Sequence, residues 1–197
     1  MPITDTMKLR RSRYVLTNKL PISDDKLENL LGEVIQQAPS AFNIQSARVA
    51  LLLGEKHHAL WQIVLDSLRV IVPADKFAPT EEKIKSFAAA YGTVLYFDDT
   101  VATRGLQEQY PAYADNFPVW AQQANGMLQF AVWTALAEAG IGASLQHYNP
   151  LIDAQVKKTF NLPETWQLIA QMPFGAAAGA DSEKTYMPLS ERFAVKK

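Results

Sequence analysis

The pattern of apolar and polar positions first falls into step after Ser23. From there Leu27, Leu30, Leu31, Val34, Ile35 and Ala38 recur at helical spacing, which predicts an amphipathic helix with one buried stripe. Ser23 can cap it, Asp24 and Asp25 suit the positive end of its dipole, and Pro39 stops it. The run Arg48–Gly54 is apolar at nearly every position and predicts a short strand buried on both faces. A second helix is expected over about Lys56 to Val70, with Leu60, Trp61, Val64, Leu65 and Leu68 inward. Residues 72–82 hold Pro73 and Pro79 and read as a loop, followed by a helical stretch to about Ala90 and a strand over Gly92–Asp98. Asp98-Asp99-Thr100 opens another helix by capping logic, and residues 110–118 look irregular.

The longest helix is expected over about Val119 to Ala139, closed by Gly140. Ala124, Met127, Leu128, Ala131, Val132, Ala135, Leu136 and Ala139 make one face, while Phe130 and Trp133 lie off it. Such a helix is apolar around much of its circumference, so the sheet or a partner subunit is expected to bury it. A short strand near 142–146, a helix capped by Asn149 and begun by Pro150, and a strand over Trp166–Pro173 complete the pattern. The tail from Phe174 is rich in Gly and Ala. These elements predict one α+β domain over residues 1–197, with a mostly antiparallel or mixed sheet whose strand order stays open.

Composition excludes more than it adds. Lys and Arg number 19 against 20 for Asp and Glu, a formal net charge of -1, so no global field favours nucleic acid or an anionic membrane. The chain has no cysteine, which removes disulfides, thiol nucleophiles and thiolate metal sites and suits a cytoplasmic address. No stretch approaches the roughly 20 apolar residues of a membrane-spanning helix. His57 and His58 are adjacent, with no acid spaced to join them, and read as surface residues rather than metal ligands. Asp24-Asp25, Glu81-Glu82 and Asp98-Asp99 fall where helices begin, so capping explains them. P-loop, GxGxxG, GxSxG and HExxH motifs are missing. Trp61, Trp120, Trp133 and Trp166 are expected in the core or at an interface.

Three clusters carry candidate chemistry. Arg10-Arg11-Ser12-Arg13 offers guanidinium forks that match phosphate oxygens; a solvated surface run is the plain alternative. Pro39-Ser40-Ala41-Phe42-Asn43-Ile44-Gln45 sets two side-chain amides two residues apart, a mixture of donors and acceptors suited to the pyrimidine edge of a flavin. A turn that satisfies its own amides is the alternative there. Leu145-Gln146-His147-Tyr148-Asn149-Pro150 stands at an expected strand-to-helix junction, where a helix N-terminus presents N–H groups to an electron-rich ligand. A capped helix beside a partly buried histidine explains it equally well. From the residues alone, each pair of readings stays open.

In their order along the chain, the three clusters resemble the cofactor signature of the FMN-dependent nitroreductase superfamily. RRSxY, PSAFNxQSARV, WxxQxNGMLQ and GxSLQHYNP resemble its compact fatty-acid-repression-mutant-like branch over nearly the full length. Ser46-Ala47 follow Gln45 where many relatives have Pro-Trp, a departure that favours this branch. The resemblance implies a nitroreductase-like fold, a central mostly antiparallel sheet flanked by helices, in an intertwined homodimer with FMN at two interface sites. It implies that Arg10, Arg11, Ser12 and Arg13, joined by Lys184 and Arg192 of the tail, hold the ribityl phosphate side. Asn43 and Gln45 would address the flavin ring and ribityl chain, while Pro39, Ser40 and Phe42 reach across to the partner's cofactor. His147, Tyr148 and Asn149 would line the ring with their backbone amides facing its N5 and O4 region, with Gly175 nearby. The implied activity is a ping-pong transfer of hydride from NADH or NADPH through flavin N5 to nitroaromatic or quinone acceptors, without metal or catalytic side chain. A flavin-holding regulatory or sequestering protein is the alternative.

Overall fold

Pairing of the apolar runs builds one antiparallel sheet with helices on both faces. The computed structural model describes residues 2–179 and 183–197. In chain order the elements are α1 (Ile3–Leu9), β1 (Leu16–Thr17), α2 (Asp24–Gln37), β2 (Ala47–Leu53), α3 (Gly54–Ile71), α4 (Phe77–Ala88), β3 (Gly92–Asp99), α5 (Thr100–Gln109), α6 (Asn116–Glu138), β4 (Gly142–Ala143), α7 (Asp153–Phe160) and β5 (Trp166–Ala177). The strand order is β1-β5-β3-β2, and β4 also pairs with β5. β3 lies between β2 (Ala47↔Asp98 to Leu53↔Gly92) and β5 (Gly92↔Phe174 to Asp99↔Trp166). The other edge of β5 takes β4 at Gly142↔Gly175, and β1 pairs with the end of β5 at Leu16↔Ala177. The α+β expectation with a mostly antiparallel sheet therefore holds.

A register shift between Tyr96 and Phe97 leaves Ile169 as an extra residue on β5. Beyond it the alternation changes face. Leu168 joins Leu52, Leu95 and Phe97 against α3, α4 and α7, where Leu60, Trp61, Ile84, Phe87 and Val156 are buried. Ala170, Met172 and Phe174 join Val94 and Tyr96 against α2 and α6, where Leu27, Leu31, Leu128, Val132 and Leu136 close the second core. Each such buried Leu or Phe side chain stabilises the fold by about 1.5–3 kcal/mol. Beside the shift, Phe97 O accepts from Asn125 Nδ2 at 2.9 Å, and Asn125 Oδ1 accepts from Gln129 Nε2 at 2.7 Å. The buried amides of α6 thus clamp the helix to the irregular part of the sheet.

Side-chain caps hold the starts of two helices. Ser23 Oγ accepts from Lys26 N–H at the start of α2, and Asp99 Oδ1 accepts from Val101 N–H at the start of α5. The structure corrects several expectations. β2 is an edge strand, and Leu52 alone of its residues is buried. α4 begins at Phe77 and α6 at Asn116, so Pro79 and Pro118 sit in first turns, where the missing N–H removes no helical hydrogen bond. Asn149 caps nothing, because residues 146–148 stay beside β5 and α7 starts only at Asp153 after Ile152. Ile35, expected in the buried stripe of α2, is exposed.

His57 is fully buried rather than on the surface. It lies on the inward face of α3, one turn before Trp61. Its Nδ1 is 2.9 Å from Thr93 Oγ1 and its Nε2 3.2 Å from Ala88 O, while Trp61 Nε1 donates to the same Thr93 oxygen at 3.0 Å. A backbone carbonyl can only accept, so Nε2 carries the proton and donates to Ala88 O, and in the neutral ring that burial favours Nδ1 accepts from the Thr93 hydroxyl. That arrangement needs the neutral ring, and burial pushes its pKa from 6.5 down to about 4.

Candidate functional site

The arginine run lies along the outer edge of the sheet. Arg13 N–H donates to Ala143 O at 2.9 Å, and Ser12 bridges Ala143 in the parallel sense, so the run extends the sheet beyond β4. Gly142 makes this approach feasible: a Cβ there would stand 3.2 Å from Arg13 Cβ and 3.0 Å from Leu16 Cδ2 and Ala177 Cβ. Arg11 and Arg13 line a cavity of about 130 Å³ with Leu9, Trp133, Ala137 and Ile141. Arg10 instead lies over the Trp133 ring, 4.4 Å from its centroid, and burial with the neighbouring Arg11 charge lowers its pKa. One cluster read as a unit in the sequence therefore divides into a stacked arginine and two that face a cavity.

Further along the same edge, Gln146 exchanges both backbone hydrogen bonds with Gln171 of β5, at 2.7 and 2.9 Å. Tyr148 N–H donates to the Gln171 side-chain Oε1 at 2.8 Å. His147 is exposed, and among the described residues its N–H has no hydrogen-bond partner. The Tyr148 ring meets Trp61 edge-on at 5.9 Å, and burial pushes its phenol up to about 12. Asn149 Oδ1 and Gln171 Nε2 are buried and have no hydrogen-bond partner among the described residues. Of the backbone donors expected from His147, Tyr148 and Asn149, that of Tyr148 is thus engaged inside the chain. Gln171 was not singled out in the sequence; a Gln in the middle of the apolar β5 run was the available signal.

The loop before β2 has an unusual backbone. Phe42, Asn43 and Gln45 have φ of 55°, 50° and 50°, left-handed values that are strained for residues with a Cβ. Ser40 Oγ holds the turn by accepting from Gln45 N–H at 3.0 Å, and Arg48 Nη1 donates to Gln45 O while its Nη2 pairs with Asp99 Oδ2 at 3.0 Å. Phe42 packs one side against Tyr110, Phe117 and Trp120, with centroids 5.1, 5.4 and 6.1 Å away, and stays half exposed. The aromatic residues of the segment read as merely irregular are what brace the loop. Pro39, Ser40 and Gln45 line a cavity of about 350 Å³ with Arg48, Leu128 and Trp166.

These parts do not meet within one chain. The loop enters β2 at Ala47↔Asp98, level with Gln167 of β5, whereas Ser12 sits beside Ala143, level with Phe174. Four strand spacings and seven residues separate them, roughly 19 Å across and 24 Å along the sheet. Asn43 and Gln45 therefore lie far from Arg11 and Arg13, while His147 shares the arginines' edge. Lys184 reaches the ring of Tyr186 at 5.2 Å, and Arg192 is exposed, as are all of residues 183–197. Gly175 is buried where β1 crosses: a Cβ would stand 2.2 Å from Thr17 O, so close backbone approach accounts for this glycine. Among the described residues no cluster could hold a metal ion, and no helix is long and apolar enough to cross a membrane.

The chain is similar to known proteins over almost its whole length. HBN1 of Saccharomyces cerevisiae is 35% identical over 184 residues, 92% of this chain and 91% of that protein. Nitroreductase FRM2 of the same organism is 31% identical over 180 residues, covering 90% and 89%. Nitroreductase CinD from Lactococcus lactis, solved in complex with 4-nitrophenol, is 42% identical with a TM-score of 0.88 and covers 98% of this chain and 99% of that one. The family model described as Nitroreductase family matches residues 7–176. With that match and these relatives, the chain belongs to the nitroreductase family.

Proposed function

We propose that residues 1–197 form one FMN-binding oxidoreductase domain, acting as a homodimer that takes electrons from NADH or NADPH and passes them to flat electrophiles such as nitroaromatics and quinones. One observation carries the reading. On a single sheet edge, the cavity lined by Arg11 and Arg13 and the unpaired N–H of His147 are separated by four residues of extended chain, about 13 Å. An anionic group at one end and an electron-rich ring at the other fit that spacing, and FMN has both. When bound, FMN supplies the two-electron chemistry, so no nucleophile or general base is required of the chain.

The chain's own residues bind, orient and enclose. Arg11 and Arg13 would hold the phosphate by charge-assisted hydrogen bonds. The His147 N–H would face the ring edge where negative charge develops. The far side of the ring lacks a cover on the same chain, and Asn43 and Gln45 of a second copy would supply it, with Pro39, Ser40 and Phe42 beside them. The exposed apolar surface supports a second copy as the missing wall: Phe42 is 53% exposed, Met127 45%, and Phe193 in the tail 62%. Lys184 and Arg192 would join the phosphate once the tail wraps its neighbour.

The test is uptake and reduction. Protein mixed with FMN and desalted retains a flavin spectrum that NADH or NADPH bleaches without oxygen. Colourless protein contradicts the reading, and retained flavin that neither nicotinamide bleaches points to a flavin carrier. Arg11→Ala is expected to weaken FMN binding about 10- to 100-fold, the loss of a hydrogen bond to a charged group.

A further inference from the structure

We infer that Gln171 is a positioning residue whose side chain turns the His147 N–H outward toward the cofactor; the inference rests on the flavin reading above. Gln171 is fully buried in β5, opposite Leu95 of β3. Ala170 and Met172 on either side face α2 and α6, so Gln171 points to the opposite face, toward Tyr148. Its backbone N–H and C=O both bond Gln146. The backbone ladder stops there, and the side-chain Oε1 carries it one step further by accepting from Tyr148 N–H at 2.8 Å.

The consequence is geometric. Successive N–H groups of an extended segment point to alternate sides. With Gln146 and Tyr148 both turned toward Gln171, the N–H of His147 between them faces away from β5, where it has no partner among the described residues. For stability alone Gln171 is a poor choice. A methionine fills similar space, whereas the glutamine leaves its Nε2 buried without a partner among the described residues. The acceptor it offers Tyr148 is what the amide contributes.

Amide hydrogen exchange on the wild-type protein, with and without FMN, tests this directly. Tyr148 is expected to exchange slowly in both states, while His147 exchanges fast without FMN and at least tenfold more slowly with it. Gln171→Met removes the acceptor at similar volume, and Gln171→Glu restores one. The Met variant should retain FMN through Arg11 and Arg13, exchange Tyr148 at least tenfold faster, and show a shifted flavin absorption band and a lower flavin midpoint potential. The Glu variant should move all three back toward wild type. Tyr148 exchanging as fast as His147 in wild type overturns the inference, and that arm stands even if a variant fails to fold. A Met variant with a lowered Tm but unchanged flavin band and potential overturns it as well. FMN that is not taken up, or that leaves His147 exchange unchanged, overturns the cofactor reading instead, and slow Tyr148 exchange would then uphold the pinning alone.

Discussion

Replacing His57 by glutamine should remove a defined part of the protein's acid sensitivity. The imidazole is fully buried, donates through Nε2 to Ala88 O, and accepts at Nδ1 from Thr93. Glutamine can donate and accept in the same space but does not ionise. In the folded protein burial lowers the His57 pKa to about 4, against 6.5 for a free side chain. Between those values the unfolded chain binds the extra proton, so stability is fully present above pH 6.5 and is lost as pH falls toward 4. The interval corresponds to on the order of 3 kcal/mol, of which about 2 kcal/mol is gone by pH 5. Urea unfolding at pH 7.5 and pH 5 measures it for both proteins. The quantity that matters is the difference between their two pH effects, since every other titrating group is common to both. The wild type is expected to lose about 2 kcal/mol more than His57→Gln over this range. Equal losses would refute the neutral, buried histidine.

Two further perturbations address the clamp and the tail. Asn125→Leu leaves Phe97 O without its donor and Gln129 Nε2 without its acceptor, and should lower stability by about 1–3 kcal/mol for each group left buried, read from urea unfolding. Removing residues 183–197, which include the exposed Tyr186, Met187, Leu189 and Phe193, should weaken self-association in sedimentation while leaving the circular dichroism of the α+β core unchanged. A truncated protein that associates as tightly as the full chain would show that the tail does not hold the dimer.

The readable parts of the sequence were those governed by local rules. α2 announces itself through Ser23, the two aspartates and Pro39, and β3 and β5 through apolar runs that the sheet buries. What escaped depends on neighbours distant in sequence. The Arg48–Gly54 run looks like a central strand, yet strand order puts β2 at the edge. His57 looks exposed until α3 is docked on β3 and Thr93 meets it. The three chemical clusters were visible as residue types, but their division between two sheet edges follows from pairing, which periodicity does not encode. The brace around Phe42 was hidden in an irregular segment whose aromatic residues act only once α5 and α6 fold beside the loop.

The central claim is that one cofactor site needs two chains, and mixing complementary variants tests it most directly. One variant carries Arg11→Ala with Arg13→Ala, the other Asn43→Ala with Gln45→Ala, and each alone should retain no FMN after desalting. Unfolded and refolded together, they form mixed dimers in which one site has both changes and the other has none. The account predicts that the mixture recovers flavin, at one FMN per mixed dimer. A mixture as colourless as its two components, with mixed dimers demonstrated by mass, would contradict it.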